Sequence, residues 1–106
     1  MIYRSVLTFH VQEGKAAEFE AAYGAGEFLT RAADVPGFIR ADLLREEDDS
    51  HAYVAMAEWE NKEAYLEWQA RIPNVVPEDA IIRLLNTLAK PDPSRVYAVL
   101  DTVQAK

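Results

Sequence analysis

Residues 51–59 read HAYVAMAEW, and they restrict the fold more than any other stretch of the chain. Successive side chains of a β-strand point to opposite faces, which sorts these nine residues into two sets. His51, Tyr53, Ala55, Ala57 and Trp59 point one way, and Ala52, Val54, Met56 and Glu58 the other. Both sets are largely apolar, so a sheet built on this strand has to bury both of its faces. Residues 95–104 (RVYAVLDTVQ) repeat the pattern, with Val96, Ala98 and Leu100 opposed to Tyr97, Val99 and Val103. Helices of the same chain can cover one face. A second copy of the chain is the natural cover for the other, which predicts a homodimer through the open sheet face.

The other segments supply the helices and the remaining strands. Residues 2–11 (IYRSVLTFHV) are rich in β-branched and aromatic side chains and read as a strand ended by Glu13-Gly14. Residues 15–34 read as one helix, with Phe19, Ala22, Gly26, Leu29 and Ala33 along one side. Gly24 and Gly26 weaken it by about 1 kcal/mol each against alanine; they serve either close packing on the sheet or a kink that opens a pocket. Pro36-Gly37 ends this helix, and residues 38–46 and 51–59 form a hairpin around Glu47-Asp48-Asp49-Ser50. Asn61 is a fair N-cap for a helix over 62–72, and Pro77 opens another with Ile81, Leu84, Leu85 and Leu88 on one side. Residues 90–94 (KPDPS) read as a loop before the last strand. The order β-α-β-β-α-(α)-β is that of an α+β, ferredoxin-like fold, an antiparallel sheet covered by helices on one face. Residues 1–106 read as a single domain.

Composition excludes several classes of activity. The net charge is −7 and no Lys/Arg cluster exceeds two residues, which argues against nucleic acid. The chain has no cysteine, so disulfides, thiolate nucleophiles and thiolate metal sites are absent together. No apolar run approaches membrane-spanning length, and Met1-Ile2-Tyr3-Arg4 is strand-like rather than a secretion signal. A cytoplasmic protein with no membrane partner is the expectation. His10 and His51 are the only histidines and lack a nearby carboxylate pattern, so no metal site is assigned. Each is a general base in one reading and a surface or structural residue in the plainer one. Glu46-Glu47-Asp48-Asp49 lacks the alternating spacing and central glycine of a calcium loop and reads as a solvated hairpin tip. Arg40 and Asp42 share a strand face and pair, while Arg71 and Arg83 flank the 72–80 segment. There is no glycine-rich phosphate loop and no GxSxG elbow.

The aromatic cluster of residues 57–68 (AEWENKEAYLEW) is where a site is sought. Trp59 shares its strand face with Ala55 and Ala57, and small side chains beside a large ring suit a cavity floor. A facing helix could fill the same space and make the ring plain core. Tyr65 and Trp68 lie three apart on one helix face, Tyr65 with a hydroxyl for a ligand oxygen and Trp68 as core.

Several stretches together resemble the antibiotic biosynthesis monooxygenase family of dimeric α+β barrel proteins. They are Phe9-His10-Val11 with Glu13-Gly14-Lys15, Ala17-Glu18-Phe19-Glu20, Pro36-Gly37-Phe38, Leu43-Leu44-Arg45-Glu46 and Tyr53-Val54, with Glu58-Trp59-Glu60-Asn61-Lys62-Glu63-Ala64-Tyr65 the strongest. The resemblance covers about residues 3–70. It implies a pocket in each protomer between sheet and helices. It also implies a quinone-forming oxygenation in which O₂ is co-substrate and no flavin, haem or metal takes part. A deprotonated phenolic ring is electron-rich enough to pass an electron to O₂, provided the protein binds the ring, favours its anion and excludes water. On this resemblance Trp59 and Tyr65 are the catalytic candidates, and Leu7, Phe9, Tyr53, Ala55 and Ala57 bind the small aromatic, polyketide-like or quinol substrate. The asparagine that assists oxygen activation in relatives has no match, because Leu7 or Ala55 stands in its place. The haem-degrading relatives need a histidine within the stretch 62–88, which has none. Two further functions fit the same fold: a non-oxidative cyclase or isomerase, and a non-catalytic dimer that binds a small apolar ligand.

Overall fold

A computed structural model describes all 106 residues. β1 (Tyr3–Val11) leads into α1 (Ala16–Ala25) and the short α2 (Phe28–Ala32). β2 (Phe38–Arg45) and β3 (Ala52–Trp59) form the hairpin, followed by α3 (Lys62–Val75) and α4 (Glu78–Leu85). Two short strands close the chain, β4 (Leu88–Lys90) and β5 (Arg95–Ala98). The sheet runs β2-β3-β1, and β4 and β5 both pair with the outer edge of β1. All pairings are antiparallel. This is the expected α+β, ferredoxin-like arrangement.

Register explains where the core forms. Tyr3, Ser5, Leu7 and Phe9 of β1 stand opposite Trp59, Ala57, Ala55 and Tyr53 of β3. Ala57 is also opposite Ala41 of β2, and Ser5 opposite Val96 of β5. All these side chains point towards the helices. At one end Phe9 and Tyr53 pack with Phe19, Tyr23 and Leu84. At the other end Trp59 packs with Ala32, Val35, Tyr65, Trp68 and Val76. Between these clusters the sheet presents small residues, Ala41, Ala55, Ala57 and Ser5.

Several boundaries differ from the sequence-based expectations, among them the helix opened by Pro77, which ends at Leu85 and leaves Leu88 to a strand. The helix expected over 15–34 breaks in two at Gly26-Glu27, where Glu27 takes a left-handed φ of 51°. A Cβ on Gly26 would overlap the Phe28 ring, so the glycine lets that ring fold back against the break. The helix expected over 62–72 continues through Pro73 to Val75. β4 was not expected, and Pro91-Asp92-Pro93 separates it from β5. Proline has no N–H for the ladder, so the pairing with β1 lapses there. The last strand, expected over 95–104, ends at Ala98. Ala98 pairs with Tyr3 and Val99 N–H donates to the Ile2 carbonyl at 2.9 Å, after which β1 offers no more backbone to pair with. Leu100 and Val103 consequently stand in solvent, 85 % and 89 % exposed.

The face away from the helices is mixed in character. Arg4 meets Glu58 at 3.1 Å and Arg40 meets Asp42 at 3.1 Å, a charged group at one end of this face. Val6, Thr8, Val54, Met56 and Leu44 continue it as a more apolar surface, and Leu44 is 45 % exposed. No helix is long and apolar enough to cross a membrane.

The junction between β2 and α3 depends on Gly37. Its φ is +94°, and an added Cβ would lie 2.8 Å from the Ala64 Cβ. Its carbonyl accepts from Glu60 N–H at 2.8 Å, while Asn61 Oδ1 caps α3 by accepting from Ala64 N–H at 2.8 Å. Gly24, by contrast, has open space around it inside α1. Gly37→Ala is expected to cost about 2–3 kcal/mol, from the left-handed backbone and the overlap together. Gly24→Ala should stabilise by about 0.5–1 kcal/mol. Urea unfolding followed by circular dichroism checks the opposite signs.

Candidate active site

A cavity of about 210 Å³ lies between the sheet and the helices, over the small residues that separate the two core clusters. Fifteen of its eighteen wall residues are hydrophobic. Leu7, Phe9, Ala55 and Ala57 form the sheet side, and Tyr23, Phe28 and Leu29 come from either side of the break between α1 and α2. Neither glycine packs on the sheet: Gly24 has open space around it and Gly26 lies against the Phe28 ring, while the residues on both sides of the break line the cavity. Trp68 and Ile72 of α3 and Ile81, Leu84 and Leu85 of α4 supply the far wall. The polar contributions are three: Ser5, Gln69 and Ser94. No lysine, arginine, histidine or carboxylate reaches the wall, so nothing there would hold a phosphate or a metal ion.

The two catalytic candidates stand behind this wall. Trp59 is fully buried. Its indole N–H can only donate, and a buried donor needs an acceptor; it donates to Ser5 Oγ at 3.0 Å. Tyr65 is buried beside it, its ring in an edge contact with the indole at 6.4 Å between centroids. The Tyr65 hydroxyl donates to Ser94 Oγ at 3.0 Å. Both serines line the cavity. Trp59 and Tyr65 are thus each one hydrogen bond removed from the cavity.

The other candidates divide. Leu7, Phe9, Ala55 and Ala57 are on the cavity wall, and Leu7 and Ala55 are direct cross-strand partners. Tyr53 is not on the wall: it packs on Phe19 at 4.5 Å and its hydroxyl donates to Glu20 Oε2 at 2.5 Å. Trp68, expected to be plain core, is a wall residue. Both histidines lie elsewhere, His10 with Nε2 3.0 Å from Asp92 Oδ2 and His51 with Nδ1 3.6 Å from Asp49. Arg71 pairs with Glu67, and Arg83 lies in a separate polar cleft with Lys15 and Glu18. No three His, Asp or Glu side chains converge as metal ligands would.

Sequence reasoning missed Ser5, Tyr23, Gln69 and Ser94. Ser5 left a signal, since it alternates with Leu7 and Phe9 on the core-facing side of β1, where an unpartnered hydroxyl is costly. Ser94 left none, because nothing in a proline-rich loop says which way its residues point.

A match to the family model for antibiotic biosynthesis monooxygenase covers residues 2–71. The chain belongs to the antibiotic biosynthesis monooxygenase family. It is 36% identical over 75 residues to deoxynogalonate monooxygenase of Streptomyces nogalater, a match that covers 70% of this chain but only 60% of that protein. Among solved structures it resembles SnoaB, a cofactor-independent oxygenase from Streptomyces nogalater, with a TM-score of 0.75 and 26% identity over 98% of each chain. Rv0793 from Mycobacterium tuberculosis shares the fold, with a TM-score of 0.76 at 16% identity over 98% of this chain and 100% of that one. The family match ends inside α3, so it contains Ser5, Trp59 and Tyr65 but not Ser94.

Burial raises the Tyr23 phenol well above its ordinary value of 10.0, and burial is also the main cause of the upward shift at Tyr53, followed by its bond to Glu20. Both rings stay neutral near neutral pH. A raised folded-state value means that the unfolded chain releases its protons first. The stability tied to these phenols is therefore complete below about pH 10 and is lost as pH rises beyond it. Tyr23→Phe should flatten, without abolishing, the alkaline decline. Urea unfolding at steps between pH 8 and 11.5 measures this.

Proposed function

We propose that this protein is a cofactor-independent monooxygenase that converts a small aromatic, polyketide-like or quinol substrate to a quinone. The observation that carries the reading is the apolar cavity, lined by two serine hydroxyls that are tied to Trp59 and Tyr65. Family membership and the likeness to SnoaB support it. The cavity lies below the ~300–1,000 Å³ usual for ligand pockets, which suits a compact flat molecule of two or three rings. For an anthrone, the ring CH₂ loses two hydrogens, one atom of O₂ becomes the new carbonyl oxygen and the other leaves as water. The substrate anion supplies the electrons to O₂. The protein's part is to seat the ring over Ala55 and Ala57, favour its anion and keep water out.

The wall has no carboxylate or imidazole to take the substrate proton, and Tyr23 is held neutral by burial. The rate should therefore follow the substrate's own ionisation. On an anthrone and hydroquinone panel, we expect O₂-dependent quinone formation with no added cofactor, followed by absorbance. kcat/KM should rise with pH through the substrate's pKa. His10→Gln and His51→Gln should leave that profile in place, while Trp59→Phe and Tyr65→Phe each lower kcat/KM about tenfold, the size of one lost hydrogen bond. A second reading is favoured by one observation: Leu7 and Ala55, where relatives carry an asparagine, face each other as an apolar pair. Tight binding of the same compounds without O₂ consumption would move the protein to a non-oxidative cyclase or a ligand-binding role.

The proposal includes a homodimer that covers the outer sheet face over Val6, Val54, Met56 and Leu44. Light scattering on a sizing column should give about twice the 12.0 kDa chain mass. Leu44→Glu should shift the protein towards the single-chain mass by placing an unpaired charge on that face.

A further inference from the structure

We infer that Ser5 and Ser94 form a two-hydroxyl oxyanion site, with Trp59 and Tyr65 as the positioning residues that aim both protons into the cavity. The inference rests on the reading of this cavity as a substrate site, and it names the feature the substrate must carry: a phenol or enol oxygen on a compact aromatic ring.

The argument begins with donor and acceptor chemistry. A serine hydroxyl has one proton and two acceptor positions. Trp59 Nε1–H has no lone pair to offer, so its bond at 3.0 Å occupies an acceptor position of Ser5 and leaves the Ser5 proton free. At Ser94 the phenol is the more acidic of the two hydroxyls and donates, again at 3.0 Å, which frees the Ser94 proton. Neither serine hydroxyl donates to any protein group. Each also gains donor strength from being an acceptor, since bonds in a chain polarise one another.

Topology brings the two serines to the β1–β5 side of the cavity. Ser5 is opposite Val96, and Ser94 lies two residues before Val96 on the same side of the β1 edge. Both side chains reach the wall, whose sheet side is otherwise apolar from Leu7 and Phe9 to Ala55 and Ala57. The loop that carries Ser94 is tied down two residues earlier by the pair between Asp92 and His10. Two aimed donors on the wall of an apolar slot favour an oxygen anion, because they need no reorganisation when the charge forms. The apolar pair at Leu7 and Ala55 offers no such donor. The absence of any cation from the wall separates this ligand from a carboxylate or phosphate ester.

The test uses 1-naphthol, whose ionisation shifts its absorbance, and naphthalene, which has the same rings and no oxygen. Wild type should bind both. Ser5→Ala and Ser94→Ala should each raise the pH at which bound 1-naphthol ionises by about one unit, a tenfold loss of preference for the anion. Naphthalene affinity should stay within about twofold. Trp59→Phe and Tyr65→Phe should move the ionisation midpoint in the same direction by less, since the serine proton remains but is no longer aimed. Ser94→Thr should retain the wild-type midpoint. Ser5→Ala strips a buried indole of its acceptor; if that variant does not fold, Ser94→Ala and Tyr65→Phe decide the matter. Equal losses for naphthol and naphthalene, with an unmoved midpoint, would overturn the oxyanion site and leave the cavity reading standing. Failure of wild type to bind either compound would overturn both.

Discussion

The structure depends on the order of side-chain sizes along one face of β3: large at Tyr53, small at Ala55 and Ala57, large at Trp59. Helices packed on this face rest on the two rings and on the residues clustered around them. They cannot also descend onto the alanines between. Close packing is the rule in protein interiors, and a void forfeits dispersion contacts. Here the void is maintained by two filled clusters on either side of it. Ala41 on β2 and Ser5 on β1 extend the low ground across the sheet by register.

Trp59 and its neighbour Tyr65 also bear on the chemistry of this space. A tryptophan or tyrosine brought fully inside needs a partner for its polar atom. Trp59 and Tyr65 find theirs in serines that face the cavity, so one pair of hydrogen bonds satisfies the core and shapes the site. A simple truncation of Trp59 would remove packing and the serine's partner together. No buried side-chain polar atom is left without a partner anywhere in the chain. The site is built from the ordinary solution to that requirement.

The outer edge of β1 shows how a small irregularity positions a residue. A single strand running from Leu88 to Ala98 would have paired along all of β1. Pro91 and Pro93 interrupt it, β4 and β5 attach at opposite ends, and the excluded segment carries Asp92 to His10 and Ser94 to the cavity. The opposite sheet face, with its Arg4–Glu58 and Arg40–Asp42 pairs beside Val6, Met56 and Leu44, has both the charge pattern and the apolar area to specify a register for a covering partner.

Much of the fold was legible because it rests on short-range rules. Alternation placed β1, β2 and β3, the Asn61 cap and Pro77 placed the helix starts, and element order led to the ferredoxin-like sheet. The helix break at Gly26-Glu27 was half legible: the glycines announced a weakness, but only the Phe28 ring packed against it shows where the chain turns. The end of β5 was not legible, since Leu100 and Val103 are as apolar as any strand residue and are left out because β1 has run out of backbone. For the site, sequence alone placed small residues beside Trp59 on one strand face, which fits a cavity floor and filled core equally. Only the tertiary structure decided that Trp59 and Tyr65 stand behind the wall, that Trp68 is part of it, and that Ser5 and Ser94 face the space. The reason is physical: side-chain alternation says which face a residue takes, but which polar atom meets which across 54 or 29 residues of chain depends on how the layers close.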